Sequence, residues 1–185
     1  MREMPWQRLL AVALVLGGWT GLAAAVSYVV VRPVPVGGPF LYASAFVIAW
    51  GIVGTILHRV LMYFFPLLPG EIEAGSRQEF VYQVFYNPFF FFLVYPLAFS
   101  GLLPVPLSRL FYKLFGARIG TNTYPGRCMV FDPRFVTLAE MVVMGYNACL
   151  VPHVMEGTRL AHAVIRIGNH ATIGVNAVLF AGVSV

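Results

Sequence analysis

Leu9 to Val31 carries no charged residue, and after a short break Phe40 to Leu57 carries none either. A helix needs roughly 20 apolar residues to cross a bilayer. In lipid, only a helix lets one segment satisfy its own backbone polar groups. The first third of the chain is therefore expected to be two helices. They are joined by Arg32-Pro33-Val34-Pro35-Val36-Gly37-Gly38-Pro39, a turn full of helix breakers. A cleaved leader is the competing reading, but the first run is too long for one and a second run follows closely. Composition agrees: 59% of the 185 residues are hydrophobic and 10% are charged, with a mean hydropathy of +0.81. A soluble domain averages about 25% charged residues, so much of this surface faces something apolar.

Arg2 and Arg8 flank the first run at one end and Arg32 at the other, while His58-Arg59 closes the second. Gly51 and Gly54 read as small residues that let helices approach closely. Trp6, Trp19 and Trp50 read as interface anchors and His58 as a marker of headgroup level. Glu71-Ile72-Glu73 through Arg77 and Glu79 is a polar interruption, a loop or surface helix at the membrane edge. Phe80 to Ser108 is again uncharged but holds Pro88, Pro96, Pro104 and Pro106. Prolines argue against one straight spanning helix, which leaves a full span or a re-entrant or surface-lying hairpin. Arg109 to Phe115 reads as a basic-aromatic amphipathic helix at the interface, or as a connector.

Seven of the twelve basic residues follow Ser108. Positive charge favours the cytoplasmic side and the neighbourhood of anionic lipid. The expectation is a multi-pass protein of a bacterial inner membrane, with membrane lipid as a partner and its C-terminal part in the cytoplasm. Residues 1–109 would form the membrane domain and 110–185 a second unit. The basic residues are scattered, so nucleic acid is not an expected partner. Cys128 and Cys149 are too few for a disulfide scaffold and read as small packing residues.

From Ile119 a period of six appears. Aliphatic residues recur at Ile167, Ile173, Leu179 and Val185, with Ile165, Ala171, Ala177 and Val183 two positions before each. The same beat runs through Leu138, Met144 and Leu150, preceded by Val136, Val142 and Ala148. Six fits neither the helical period nor plain strand alternation; it indicates short strands and turns wound as a parallel solenoid. Gly120, Gly145, Gly168 and Gly174 follow the aliphatic positions and read as turn residues.

With Phe131-Asp132-Pro133, Leu150-Val151-Pro152-His153, Glu156-Gly157 and Val164-Ile165-Arg166-Ile167-Gly168, residues 110–185 resemble the hexapeptide-repeat acyltransferases. The nearest likeness is to their membrane-attached members, from exopolysaccharide clusters and the C-terminus of some nonribosomal peptide synthetases. The resemblance implies a short left-handed parallel β-helix, an all-β solenoid, following the α-helical membrane part. It also implies an acyl-CoA donor, acetyl-CoA foremost, no metal, and a homotrimer. Leu138-Ala139-Glu140 and Asn169-His170 depart from the family's usual residues. The sequence stops at Val185 on an inward position, so the solenoid is expected to be incomplete there or finished by a partner chain.

Acyl transfer to an alcohol or amine needs a base for the acceptor proton. In the resembled family the base is usually a histidine on a loop leaving the coil, and His153 stands at that place. It opens the stretch His153 to Ala163, which breaks the beat of six and must bulge from the scaffold. Glu156 would orient its imidazole and Arg159 would meet a phosphate of the donor. His170, at an outward position, would line the donor groove or face water. His162 is a second candidate base in the same loop, and Asp132 reads as a turn residue. The acceptor would be a hydroxyl or amine of a glycan, peptide or lipid-linked molecule. The alternative is a non-catalytic membrane assembly module that pairs its open β-helix end with a partner chain. A zinc-dependent carbonic anhydrase on a β-helix needs closely spaced histidines, which His153, His162 and His170 do not provide. A transporter would carry charge inside an apolar run, and none is present.

Overall fold

The computed structural model describes residues 3–34 and 38–185; Arg2, Pro35 and Gly37, which figure in the sequence reading, lie outside them. Helix α1 spans Trp6–Val31 and α2 spans Pro39–Phe64. Pro39 sits in the first turn of α2, where its fixed φ suits the helix and its missing N–H costs nothing. The two form a hairpin locked by tryptophans. Trp19 is fully buried, stacks on Trp50 with ring centroids 3.9 Å apart, and donates its indole N–H to the Trp50 carbonyl at 2.8 Å. Trp19 is thus a core residue, and only the exposed Trp6 is free to act as an interface anchor. A Cβ on Gly54 would collide with the Trp19 indole, whereas one on Gly51 meets nothing within 4 Å. Of the two small residues, Gly54 alone makes the close approach.

The polar interruption contributes strand β1, Gly70–Glu71, and then the start of a third helix, α3, Arg77–Phe99. Ser76 caps α3 by accepting from the Glu79 N–H, and the buried Glu79 carboxylate accepts from Arg8 of α1 at 2.7 Å. Phe89 then stacks on Trp19, so α3 climbs beside α1. Pro88 and Pro96 do not stop it. The backbone widens into π-helix at Val81–Tyr86 and at Phe90–Val94, each stretch ending two residues before a proline. Such wide turns absorb the hydrogen bond a proline cannot donate. All three helices are long and apolar enough to cross a membrane. Only 11% of the most apolar stretch of α1 and of α2 is buried within the protein, against 56% for α3. Helix α3 is therefore largely a core element. Helix α4, Val105–Leu114, buries Ser108, Phe111 and Tyr112 and exposes Leu107 and Leu110, the amphipathic pattern expected there.

The remainder is β-rich. Strands β2 (Arg118–Ile119), β4 (Val136–Leu138) and β9 (Ile165–Ile167) form one parallel sheet in the order β2-β4-β9. Strands β3 (Met129–Val130), β6 (Cys149–Val151) and β11 (Val178–Phe180) form a second, and β5 (Val143–Met144) with β10 (Thr172–Ile173) a third. The repeat positions Ile119, Leu138, Leu150, Ile167, Ile173 and Leu179 are buried, as the six-residue beat requires; Met144 is half-buried and Val185 exposed. The glycines have a different reason from the one expected. None of Gly120, Gly145, Gly168 and Gly174 has a positive φ; the left-handed turn residues are Asn122, Asn147, His170 and Asn176, two positions later. A Cβ on Gly120 would come within 2.7 Å of the Ala139 backbone, and one on Gly145 would strike the backbone of Gly174. Close approach of the neighbouring strand, not turn geometry, demands glycine at these two positions.

The stretch from His153 to Ala163 leaves this pattern as a regular β-hairpin rather than an irregular loop. Strands β7 (His153–Glu156) and β8 (Arg159–His162) pair antiparallel, and β1 joins the free edge of β8. One buried core runs without a break from Trp19 and Val53 through α3 to Leu150 and Leu179, across the boundary at residue 109.

Gly54→Ala is expected to lower the melting temperature of the detergent-solubilised protein by an amount corresponding to about 1–3 kcal/mol of overpacking. Gly51→Ala should be neutral or raise it, since alanine is up to about 1 kcal/mol the better helix former. Equal effects of the two changes would rule out the indole contact as the reason for Gly54.

Candidate functional site

Asp132 is the unusual residue of the chain. It is 3% exposed, and its backbone is left-handed, with φ 42° and ψ 64°. Proline at the next position disfavours the right-handed helical region for Asp132, and the short carboxylate side chain tolerates the left-handed one. Pro133–Phe135 follow as a 3-10 turn into β4. A buried non-glycine residue held in this region points to a functional constraint.

The His153 Nδ1–H donates to Asp132 Oδ2 at 2.5 Å. A carboxylate acceptor puts the imidazole proton on Nδ1 and leaves a lone pair on Nε2. The side chain of His153 is 21% exposed, so this arrangement is open on one side. His162 faces His153 across the hairpin register, and its Nε2 lies 3.8 Å from the same carboxylate oxygen. Both ring nitrogens of His162 are buried without a hydrogen-bond partner. Burial pushes its pKa down from 6.5 to about 4; the Asp132 charge opposes this shift and His153 adds to it.

The walls are aromatic. Phe135 stacks on His162 at 4.6 Å, Tyr82 meets it edge-on at 5.0 Å, and Phe131 meets His153 edge-on at 5.7 Å. Tyr86 is buried beside Asp132. Tyr82 and Tyr86 both come from the first π-helical stretch of α3. Such stretches recur at functional sites because they re-aim side chains. Further along the same hairpin face, Met155 pairs with Leu160. These two, with Tyr82, Gln83 and Asn87, line a largely apolar cavity of about 430 Å³. Positions two apart on a strand share a face about 7 Å apart, so the cavity neighbours the two imidazoles.

The structure therefore brings Asp132, not Glu156, to His153. Glu156 sits at the exposed hairpin tip, 3.8 Å from Arg159. Arg159 also lies 4.0 Å from Glu71 and lines the apolar cavity. His170 is an exposed turn residue whose N–H donates to the Glu140 carbonyl; nothing brings it to His153. Tyr82 and Tyr86 went unmarked in the sequence, although two tyrosines four apart in an uncharged helix do place two polar ends on one face. Among the described residues no three His, Cys, Asp or Glu side chains are grouped to hold a metal ion. No family model matches the chain, and comparisons with curated proteins and with solved structures found no match either.

A group whose folded pKa is depressed contributes stability above its unfolded value and loses it as pH falls toward the folded one. His162 should therefore make the protein acid-sensitive between about pH 6.5 and pH 4. Each tenfold change in a proton-binding constant corresponds to about 1.4 kcal/mol, so the loss is on the order of 3 kcal/mol. His162→Phe fills similar space without titrating, so its melting temperature should depend less on pH across this window. A variant as acid-sensitive as the wild type would show that other groups cause the loss.

Proposed function

We propose that the chain is a membrane-bound acyltransferase. It would move an acyl group from acyl-CoA to a hydroxyl or amine of a glycan, peptide or lipid-linked acceptor. The observation that carries this reading is the Asp132–His153 pair, a base with its orienter, opening beside an apolar cavity. His153 Nε2 accepts the acceptor's proton as its oxygen or nitrogen attacks the thioester carbonyl. The carbonyl carbon–sulfur bond then breaks, and the proton held on Nε2 goes to the leaving thiolate. Asp132 keeps the imidazole in the competent tautomer and stabilises the transient imidazolium. The cavity beside Met155 and Leu160 takes the acyl chain, and Arg159 at its rim meets a phosphate of the donor.

The reading also takes the β-rich part as a left-handed parallel β-helix of the hexapeptide-repeat kind. In support, Arg118 lies beside Thr137, Met129 beside Cys149 and Arg166 beside Ser184, offsets of about three hexads. Across the hairpin the offset is a uniform 29, and Asn147 and Asn176 stack side chain to side chain at that interval. An inner-membrane location with this part in the cytoplasm fits the basic residues after Ser108.

Thiol release from acetyl-CoA and longer acyl-CoAs by the detergent-solubilised protein tests the reading. Loss of the base costs typically 10²–10⁴ in rate, so His153→Ala should lose turnover by that factor. Asp132→Asn should lose it comparably while Glu156→Gln keeps it. Turnover unchanged in His153→Ala would sink the assignment, and absence of turnover with every donor would sink the activity.

The second reading, an assembly module that pairs its β edge with another chain, is favoured by the exposed Val178 and Phe180 on the edge strand β11. It predicts a complex larger than the 20.4 kDa chain in detergent, whose size falls to that of the single chain in Val178→Lys. A wild-type chain that stays single would exclude it.

A further inference from the structure

Three adjoining cavities run along one side of the molecule. The first, about 380 Å³, lies where the end of α2 meets the end of α4 and is lined by His58, Arg59, Lys113 and Arg134. The second, about 530 Å³, shares Arg59 and Lys113 with it and adds Arg109 on α4. The third, about 510 Å³, shares Arg134 and Gly116 with the first and extends over the β2-β4-β9 sheet to Arg118 and Arg166. They form one trough with six cationic side chains and no carboxylate in its lining.

Four of the seven acidic residues are engaged elsewhere. Glu79 pairs with Arg8, Glu71 and Glu156 lie by Arg159, and Asp132 is bound to His153. Among the described residues, none of the trough's six cations has an ion-pair partner. Arg118 and Arg166 flank Thr137 in register on neighbouring strands, so their side chains leave the sheet on the same face. Like charges arranged this way repel. Burial and the charge of Arg118 both weaken the hold of Arg134 on its proton. A second sign comes from His58, which is 4% exposed, lines the first cavity and has an Nδ1 without a partner. A buried polar atom left unpaired costs about 1–3 kcal/mol. The trough's lining includes the exposed Tyr63 of α2 and Leu110 of α4, and Phe64 and Leu107 on the same helices are exposed too. A soluble anion has no use for them; acyl tails do.

We propose that this trough seats the phosphate headgroup of an anionic membrane lipid, with the lipid tails lying against α2 and α4. The proposal is independent of acyl transfer, because none of these six cations touches Asp132 or His153.

The test is native mass spectrometry of the full chain in detergent, titrated with phosphatidylglycerol or phosphatidylcholine. Wild type should retain phosphatidylglycerol at concentrations at least about ten-fold lower than phosphatidylcholine. Each basic residue near anionic lipid contributes roughly a factor of five, so the double variant Arg59→Gln with Lys113→Gln should bind phosphatidylglycerol about 30-fold more weakly. Its melting temperature in lipid-free detergent should be unchanged. If that variant melts early, Arg166→Gln alters one exposed side chain and should cost about five-fold. Equal retention of the two lipids, or undiminished retention by a folded variant, would overturn the proposal. Displacement of phosphatidylglycerol by millimolar inorganic phosphate would overturn it too, and would assign the trough to free phosphate.

Discussion

A carboxylate taken out of water costs several kcal/mol unless its oxygens find partners, and Asp132 is buried with only 3% of its surface exposed. The surrounding elements are placed to meet that demand. Its backbone is held by the turn into β4, and β7 brings the His153 imidazole to one oxygen. The π-helical start of α3 brings Tyr86 beside it, and the His162 imidazole of β8 lies 3.8 Å away without a hydrogen bond. These groups come from parts of the chain far apart in sequence. The site exists only where helix, parallel sheet and hairpin meet.

That meeting depends on α3. A straight helix with prolines at 88 and 96 would lose hydrogen bonds and kink; widening the turn ahead of each proline keeps α3 continuous. The same widening turns Tyr82 and Tyr86 toward the β-rich part, while Phe89 continues the stack begun by Trp19 and Trp50. One helix thus packs on the α1–α2 hairpin with part of its surface and lines the catalytic candidates with another. Because the core is shared, a change at the helical hairpin is felt at the site, as expected of close-packed interiors.

Charge is distributed with the same economy. The chain has seven acidic residues, and most of them are engaged around the hairpin and the helix start. The excess of cations collects where α2 ends and along α4 to its end. Such a field favours anions along that lining.

Local rules were legible in the amino-acid order. Two uncharged runs of bilayer length imply helices, and Leu138, Leu150, Ile167, Ile173 and Leu179 mark buried strand positions, because each signal is a period or a run that one element expresses by itself. His153 was also legible, since the beat of six breaks there. Its orienter was not. Glu156 is nearer in sequence, but a β-hairpin carries it to the exposed tip, while Asp132 arrives from the turn before β4. Likewise Trp19 looks like an anchor until Gly54 admits it to the core, and Gly145 looks like a turn until Gly174 is seen lying over it. Contacts between distant segments depend on register and packing, which no local pattern encodes. For that reason sequence alone determined the helices, the buried strand positions and the place of His153, whereas only the tertiary structure decided which carboxylate holds that imidazole.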